Sequence, residues 1–155
     1  MYRGKTCKHS NGNIYLAQNW FNRTEARQMR TIRHEIGHAI DYKNGYISKE
    51  RLLKALNKDK IDILNKKDII NSELKGKYGN YLELSDIIGS ITNNEVIGFG
   101  YHDEDYWFKK GRKEKEAFAN LFSIAGSDDI KYLEITNKYL PNTLKEFDKI
   151  IKEIK

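Results

Sequence analysis

Residues 33–42 read RHEIGHAIDY, and the histidine pair, four residues apart with a glutamate between, restricts the fold more than any other stretch. On a helix, at about 100° per residue, Met29, Ile32, Ile36, Ala39 and Ile40 fall in one arc. His34, His38, Asp41 and Tyr42 fall on the opposite side, with Glu35 at its margin. The i, i+4 spacing brings both imidazoles to one point. Glu35 then stands beside a water on a metal ion rather than on the ion itself. Zinc makes such a water acidic, and a glutamate can take its proton. Gly37 sits mid-helix at a cost of about 1 kcal/mol against alanine, and its missing side chain permits close approach by a neighbouring element.

One helix does not easily wrap three side chains round a tetrahedral ion, so a further ligand must come from another segment. Cys7 is the only cysteine, which excludes a thiolate cage and an internal disulfide and leaves imidazole and carboxylate as the ligand types. Asp41 fits better as a partner for an imidazole N–H, or in a helix-end hydrogen bond. The better ligand is Glu116 in EKEAFANLF, at the start of a helix whose Phe118, Leu121, Phe122 and Ala125 face a core. Glu114 competes from another face of that helix, and His102 is a further option. A plain alternative for Glu116 is an acid stabilised by a helix N-terminus. His9 has no partner in the sequence and reads as a surface residue.

The chain has 155 residues, enough for one domain spanning 1–155 with a core of its own. Its net charge of +6 comes from 28 basic and 22 acidic residues spread along the chain. Lys54, Lys58, Lys60, Lys66 and Lys67, interleaved with Asp59, Asp62 and Asp68, look like solvated helix faces. Without a basic stripe or aromatic platform this balance does not point to nucleic acid, though its sign suits acidic partners. No apolar run approaches the roughly 20 residues of a membrane span. MYRGKTCKHS shows no secretory signal, which favours an intracellular protein or a mature domain cut from a longer chain.

The pattern predicts an α+β fold that is mainly helical. Asn11-Gly12 signals a turn, and Asn13, Ile14, Tyr15 and Leu16 read as a short strand. Thr24 can cap a helix running to about Tyr42, which Asn44-Gly45 stops. Ser48 can cap a second, through Leu52, Leu53 and Leu56. Over 59–75, Ile61, Leu64, Ile69, Ile70 and Leu74 are spaced for one apolar face. A helix is expected over 82–91, with Ser85 or Asp86 as a later start, and a short strand over 96–99. Further helices are expected over 114–125 and from Asp128 to Pro141. The last opens at Asn142 or Thr143, with Leu144, Phe147, Ile150, Ile151 and Ile154 inward.

With HEIGHAIDY, LSDIIGSITNN followed by GYHDEDYW, KEAFANLF and LPNTLKEFDKII all in view, the chain resembles the zincin-like C-terminal region of phage minor head (head morphogenesis) proteins. It is also similar to the gluzincin-type catalytic domain of anthrax lethal factor and its relatives. The resemblance runs from about residue 13 onward. It implies a zincin-like fold with a small sheet, and zinc held by His34, His38 and Glu116 with Glu35 as general base. The lethal-factor group places an oxyanion-assisting tyrosine shortly before the glutamate ligand, where this chain has Lys109 and Lys110. Tyr106 is the nearest match and Tyr101 the second, and His102 can steady an oxyanion or bind substrate. The strand of Asn13, Ile14, Tyr15 and Leu16 would pair with an extended peptide substrate. The resemblance therefore implies a zinc metallopeptidase, intracellular or virion-associated, acting on a peptide or protein and partnered by phage head or portal proteins. Two other readings stay open: a catalytically silent structural domain of a phage head protein, and a delivered toxin protease, against which the missing export signal argues.

Overall fold

The computed structural model describes residues 7–100 and 102–154. It is mainly helical, with one two-stranded antiparallel sheet among the described residues. Strands β1 (Lys8–Ser10) and β2 (Asn13–Tyr15) pair with His9 opposite Ile14. Asn11 and Gly12 join them with φ of 49° and 79°. That pair of positive φ values is what a two-residue hairpin turn demands and what Asn-Gly supplies. Leu16 lies just past the strand.

Eight α-helices follow among the described residues: α1 (Glu25–Lys43), α2 (Lys49–Asn65), α3 (Lys67–Lys75), α4 (Leu82–Thr92), α5 (Glu104–Trp107), α6 (Arg112–Ala125), α7 (Ile130–Tyr139) and α8 (Pro141–Glu153). The core joins Leu52, Leu56 and Ile63 of α2 to Leu84, Ile87, Ile88 and Ile91 of α4. Phe118, Leu121 and Ile124 of α6 and Phe147 and Ile150 of α8 complete it. Every residue over 83–92 is buried, so α4 runs through the middle of the molecule.

Several expectations need correction. The stretch 96–99 is not a strand. Its backbone donors go to side chains instead: Val96 N–H to Thr92 Oγ1, Ile97 N–H to Asn71 Oδ1 and Gly98 N–H to Ser85 Oγ. A segment whose N–H groups are satisfied this way needs no neighbouring strand. The apolar face expected over 59–75 is broken at Lys66, between α2 and α3. Ile61 and Ile69 turn to solvent, while Ile63, Ile70 and Leu74 face inward. Asp59 is buried rather than solvated: its carboxylate accepts from the backbone N–H groups of Asn142 and Thr143 and from both their side chains. It thereby caps α8 from another helix, satisfying donors that a helix start leaves open. The cap of α7 is Asp129, not Asp128, and accepts from Tyr132 N–H.

The largest correction concerns α1. Met29 is exposed, and Ile32, Ile36 and Ala39 are only half-buried. Its buried residues are Glu35, Gly37 and Asp41. The polar face is the inner one, because α6 meets it with polar side chains of its own. Gly37 makes the approach possible: a Cβ there would lie 2.8 Å from Ala119 Cα and 3.0 Å from Phe122 Cβ. Gly37→Ala should gain about 1 kcal/mol of helix propensity and lose about 1–3 kcal/mol to overpacking. We expect a net loss in denaturant unfolding. A variant more stable than the parent would show that α1 and α6 can separate freely.

Candidate metal centre

Helices α1 and α6 run antiparallel, and side chains spaced four apart on α1 meet side chains spaced three or four apart on α6. Three rungs result. At the first, Ser123 Oγ donates to the Arg30 carbonyl and to Glu83, which also accepts from Tyr132 Oη and faces the Arg30 guanidinium. At the second, His34 Nδ1 lies 2.9 Å from Asn120 Oδ1, and Asn120 Nδ2 donates to Asp86 Oδ2. At the third, Glu116 reaches His38 and His34 together.

The second rung fixes a tautomer. Because Asn120 spends its N–H on Asp86, its oxygen accepts, so His34 carries its proton on Nδ1 and turns the Nε2 lone pair inward. A histidine ligand held by an outer partner in this way is the usual arrangement at metal sites. Sequence reasoning missed both partners. Asn120 was within reach, since it lies one turn past Glu116 on the same face; nothing local marks Asp86.

His34 Nε2 lies 3.1 Å from His38 Nε2, and Glu116 Oε2 lies 3.3 and 3.4 Å from the two. Ligands at about 2.0–2.1 Å from a tetrahedral zinc stand roughly 3.3 Å apart. The three atoms therefore already mark one face of such a tetrahedron, and the donor set of two imidazoles and a carboxylate fits zinc. These side chains could hold a metal ion, and among the described residues they form the one such group. Asp41, His102 and Glu114 do not belong to it. Glu114 instead lines a hollow on another side, with Trp107 and Lys113.

Electrostatics agree with the geometry. Burial alone would raise the Glu116 carboxyl, but the two histidines outweigh it and hold it well below the usual carboxylate range. Burial works to lower His34, yet the bond to Glu116 and the charges of Glu116, Glu35 and Asp86 leave it raised. Burial raises the Glu35 carboxyl above its ordinary value, against the pull of both histidines. Glu35 Oε2 is buried with no hydrogen-bond partner. Leaving a buried carboxylate oxygen unmatched costs about 1–3 kcal/mol.

Tyr106 Oη donates to Glu116 Oε1 and accepts from Arg112 Nη1 at 3.2 Å. Burial first, then Glu116, pushes its phenol up, so it stays a donor. His102 stacks on Tyr106, and its Nδ1 and backbone N–H both donate to Asp86 Oδ1. That bond raises the imidazole and leaves Nε2 as its free nitrogen. Tyr101 lies outside the described residues. Asp41 takes the second of its two expected roles: it accepts from the backbone N–H and hydroxyl of Ser48 at the head of α2 and bonds no imidazole.

These groups open on a cleft of about 790 Å3. Its strand wall is β1 with Cys7 and Asn11, and Asn13, Ile14, Tyr15 and Leu16 do not line it. The expected strand exists, but its partner stands between it and the centre. In a two-residue hairpin the closing pair exchanges hydrogen bonds and the next pair does not. The pair after the closing one is His9 with Ile14, so the main-chain groups of His9 point away from β2, and its N–H acts on Glu35. His9 is thus no surface residue: it is half-buried in the cleft, accepts from Gly12 N–H and packs on the Tyr42 ring. Burial and the charge of His38 lower its imidazole.

No family model matches the chain, and neither a curated protein nor a solved structure gives a significant match. No described helix is long and apolar enough to cross a membrane.

Proposed function

We propose that the chain is a zinc-dependent metallopeptidase domain of zincin-like fold. The observation that carries this is the convergence of His34, His38 and Glu116 at tetrahedral spacing, with the unmatched carboxylate oxygen of Glu35 alongside. Zinc bound to these donors would polarise a peptide carbonyl and lower the pKa of a water molecule. Glu35 takes the proton from the attacking water and passes it to the leaving amine. Tyr106 would turn its one hydroxyl proton from Glu116 to the developing oxyanion, and His102, its imidazole raised by Asp86, would offer Nε2–H beside it. Asn120, anchored by Asp86, holds His34 in its tautomer. The outward carbonyl of His9, whose N–H already serves Glu35, offers an acceptor for the main chain of an extended substrate.

The resemblance to phage minor head proteins adds a context: a prophage or virion-associated domain partnered by phage head or portal proteins. The same resemblance supports the silent structural domain as the second reading. Zinc-reconstituted protein incubated with a peptide library and read by mass spectrometry separates the two. We expect cleavage that a chelator abolishes and added zinc restores. One zinc per chain with no peptide cut would give the structural reading the lead.

A further inference from the structure

Resting on the peptidase reading, we propose that the peptide accepted by this cleft is acidic, with Asp or Glu side chains flanking the bond held over the centre. The cleft is lined by Lys8, Lys109, Lys110, Arg112 and Lys115. Its acidic side chains are already engaged or sit at the floor: Asp41 serves Ser48, Glu116 serves the histidines and Tyr106, and Glu35 lies beneath. The rim therefore carries cations alone. Among the described residues, Lys109, Lys110, Arg112 and Lys115 form no ion pair with a carboxylate. Asp103, Glu104 and Asp105, on the segment just before, are exposed and line no part of the cleft.

The placement of these cations opposes local stability. Arg112 and Lys115 stand in the first turns of α6 beside Glu114, at the end where the helix dipole favours negative charge. Glu114 is buried toward the other hollow, so the cations on the cleft side gain nothing from the helix dipole and leave their charge for a ligand in the cleft. Two of the cations are also held in place rather than left to roam. Lys115 Nζ sits 3.7 Å from the Tyr46 ring centroid, and the Arg112 guanidinium lies 5.0 Å from that of Tyr106. Aromatic contacts of this kind orient a cation while leaving its charge available. Lys109 and Lys110 stand exposed on the turn before α6. A positively lined cleft with a low-dielectric floor concentrates an anionic ligand and favours its approach. An extended peptide with carboxylates on both sides of the scissile bond meets both the rim and the outward carbonyl of His9.

The test uses zinc-loaded Glu35→Gln protein, which binds without turnover, and fluorescence anisotropy. The ligands are labelled peptides of one neutral core flanked by glutamates, by glutamines or by lysines. The acidic peptide should bind at least about tenfold more tightly than the neutral one, and the basic one more weakly still, with the contrast shrinking as salt rises. The double variant Lys109→Glu/Lys110→Glu, on an exposed turn, should keep its helix content by circular dichroism and lose the preference. Equal or undetectable binding of all three peptides overturns the inference. So does tighter, equally charge-dependent binding of a single-stranded oligonucleotide of the same net charge. The two proposals fail separately. Wild-type cleavage of neutral and acidic peptides at equal rates, with no contrast in anisotropy, removes the acidic preference and leaves the peptidase. Acid-selective binding with no cleavage by wild type removes the peptidase and leaves the acidic site.

Discussion

Glu35→Gln should keep its zinc and lose peptide hydrolysis by about a thousandfold, within the range a positioned general base contributes. The substitution preserves shape and removes the negative charge together with the ability to accept a proton. Metal content should not change, because the ligating atoms belong to His34, His38 and Glu116 and Glu35 is not among them. Stability should hold or rise. In the parent, burial works against the Glu35 carboxylate and one of its oxygens has no hydrogen-bond partner. A neutral amide relieves the first penalty, so the carboxylate is kept at a cost to the fold. That combination of equal zinc, equal or higher Tm and lost turnover distinguishes a base from a structural residue. Zinc quantification, a thermal melt and a single-substrate rate assay on the same preparation read all three. Undiminished hydrolysis would remove Glu35 from the mechanism.

The centre was legible in the sequence as far as helix geometry alone decides it. Four residues bring His34 over His38 on any helix, and a carboxylate at the head of a second helix is a natural complement. The sidedness of α1 was not legible. Met29, Ile32, Ile36, Ala39 and Ile40 fall in one apolar arc, yet the fully buried residues are Glu35, Gly37 and Asp41, and of the arc Ile40 packs against the core. A polar face goes inward only when its partners are already matched, and those partners, Asn120 and Asp86, come from helices far along the chain. Gly37 was the local hint, since a mid-helix glycine marks where another backbone must pass. Asp59 misled for the same reason as α1: among lysines it reads as solvated, and only the fold brings the start of α8 onto it. The hairpin was half legible. Asn-Gly announces the turn, but nothing local says which strand faces the cleft, so β1 and His9 went unread.

Glu116→Ala should weaken zinc binding by a hundredfold or more, whereas Glu114→Ala should leave it unchanged. The two acids are two residues apart, and both are buried, so general effects of removing a buried charge from this helix apply to both. Only Glu116 reaches the histidines, and its loss leaves two imidazoles on one helix, short of the three protein ligands a catalytic zinc keeps. His38→Ala should behave as Glu116→Ala does. Acid should act in the same direction in the parent. Glu116 raises the His34 imidazole, so protons compete with the cation as pH falls, from a higher pH than an unperturbed histidine would set. Removing Glu116 takes away that raising contact together with the ligand. Competition titrations against a chromophoric chelator at two pH values measure both effects. Equal losses in the two glutamate variants would mean that the metal depends on the stability of α6 rather than on one carboxylate. Retention of full affinity in Glu116→Ala would mean that the ion is held by the α1 histidines with a different third group.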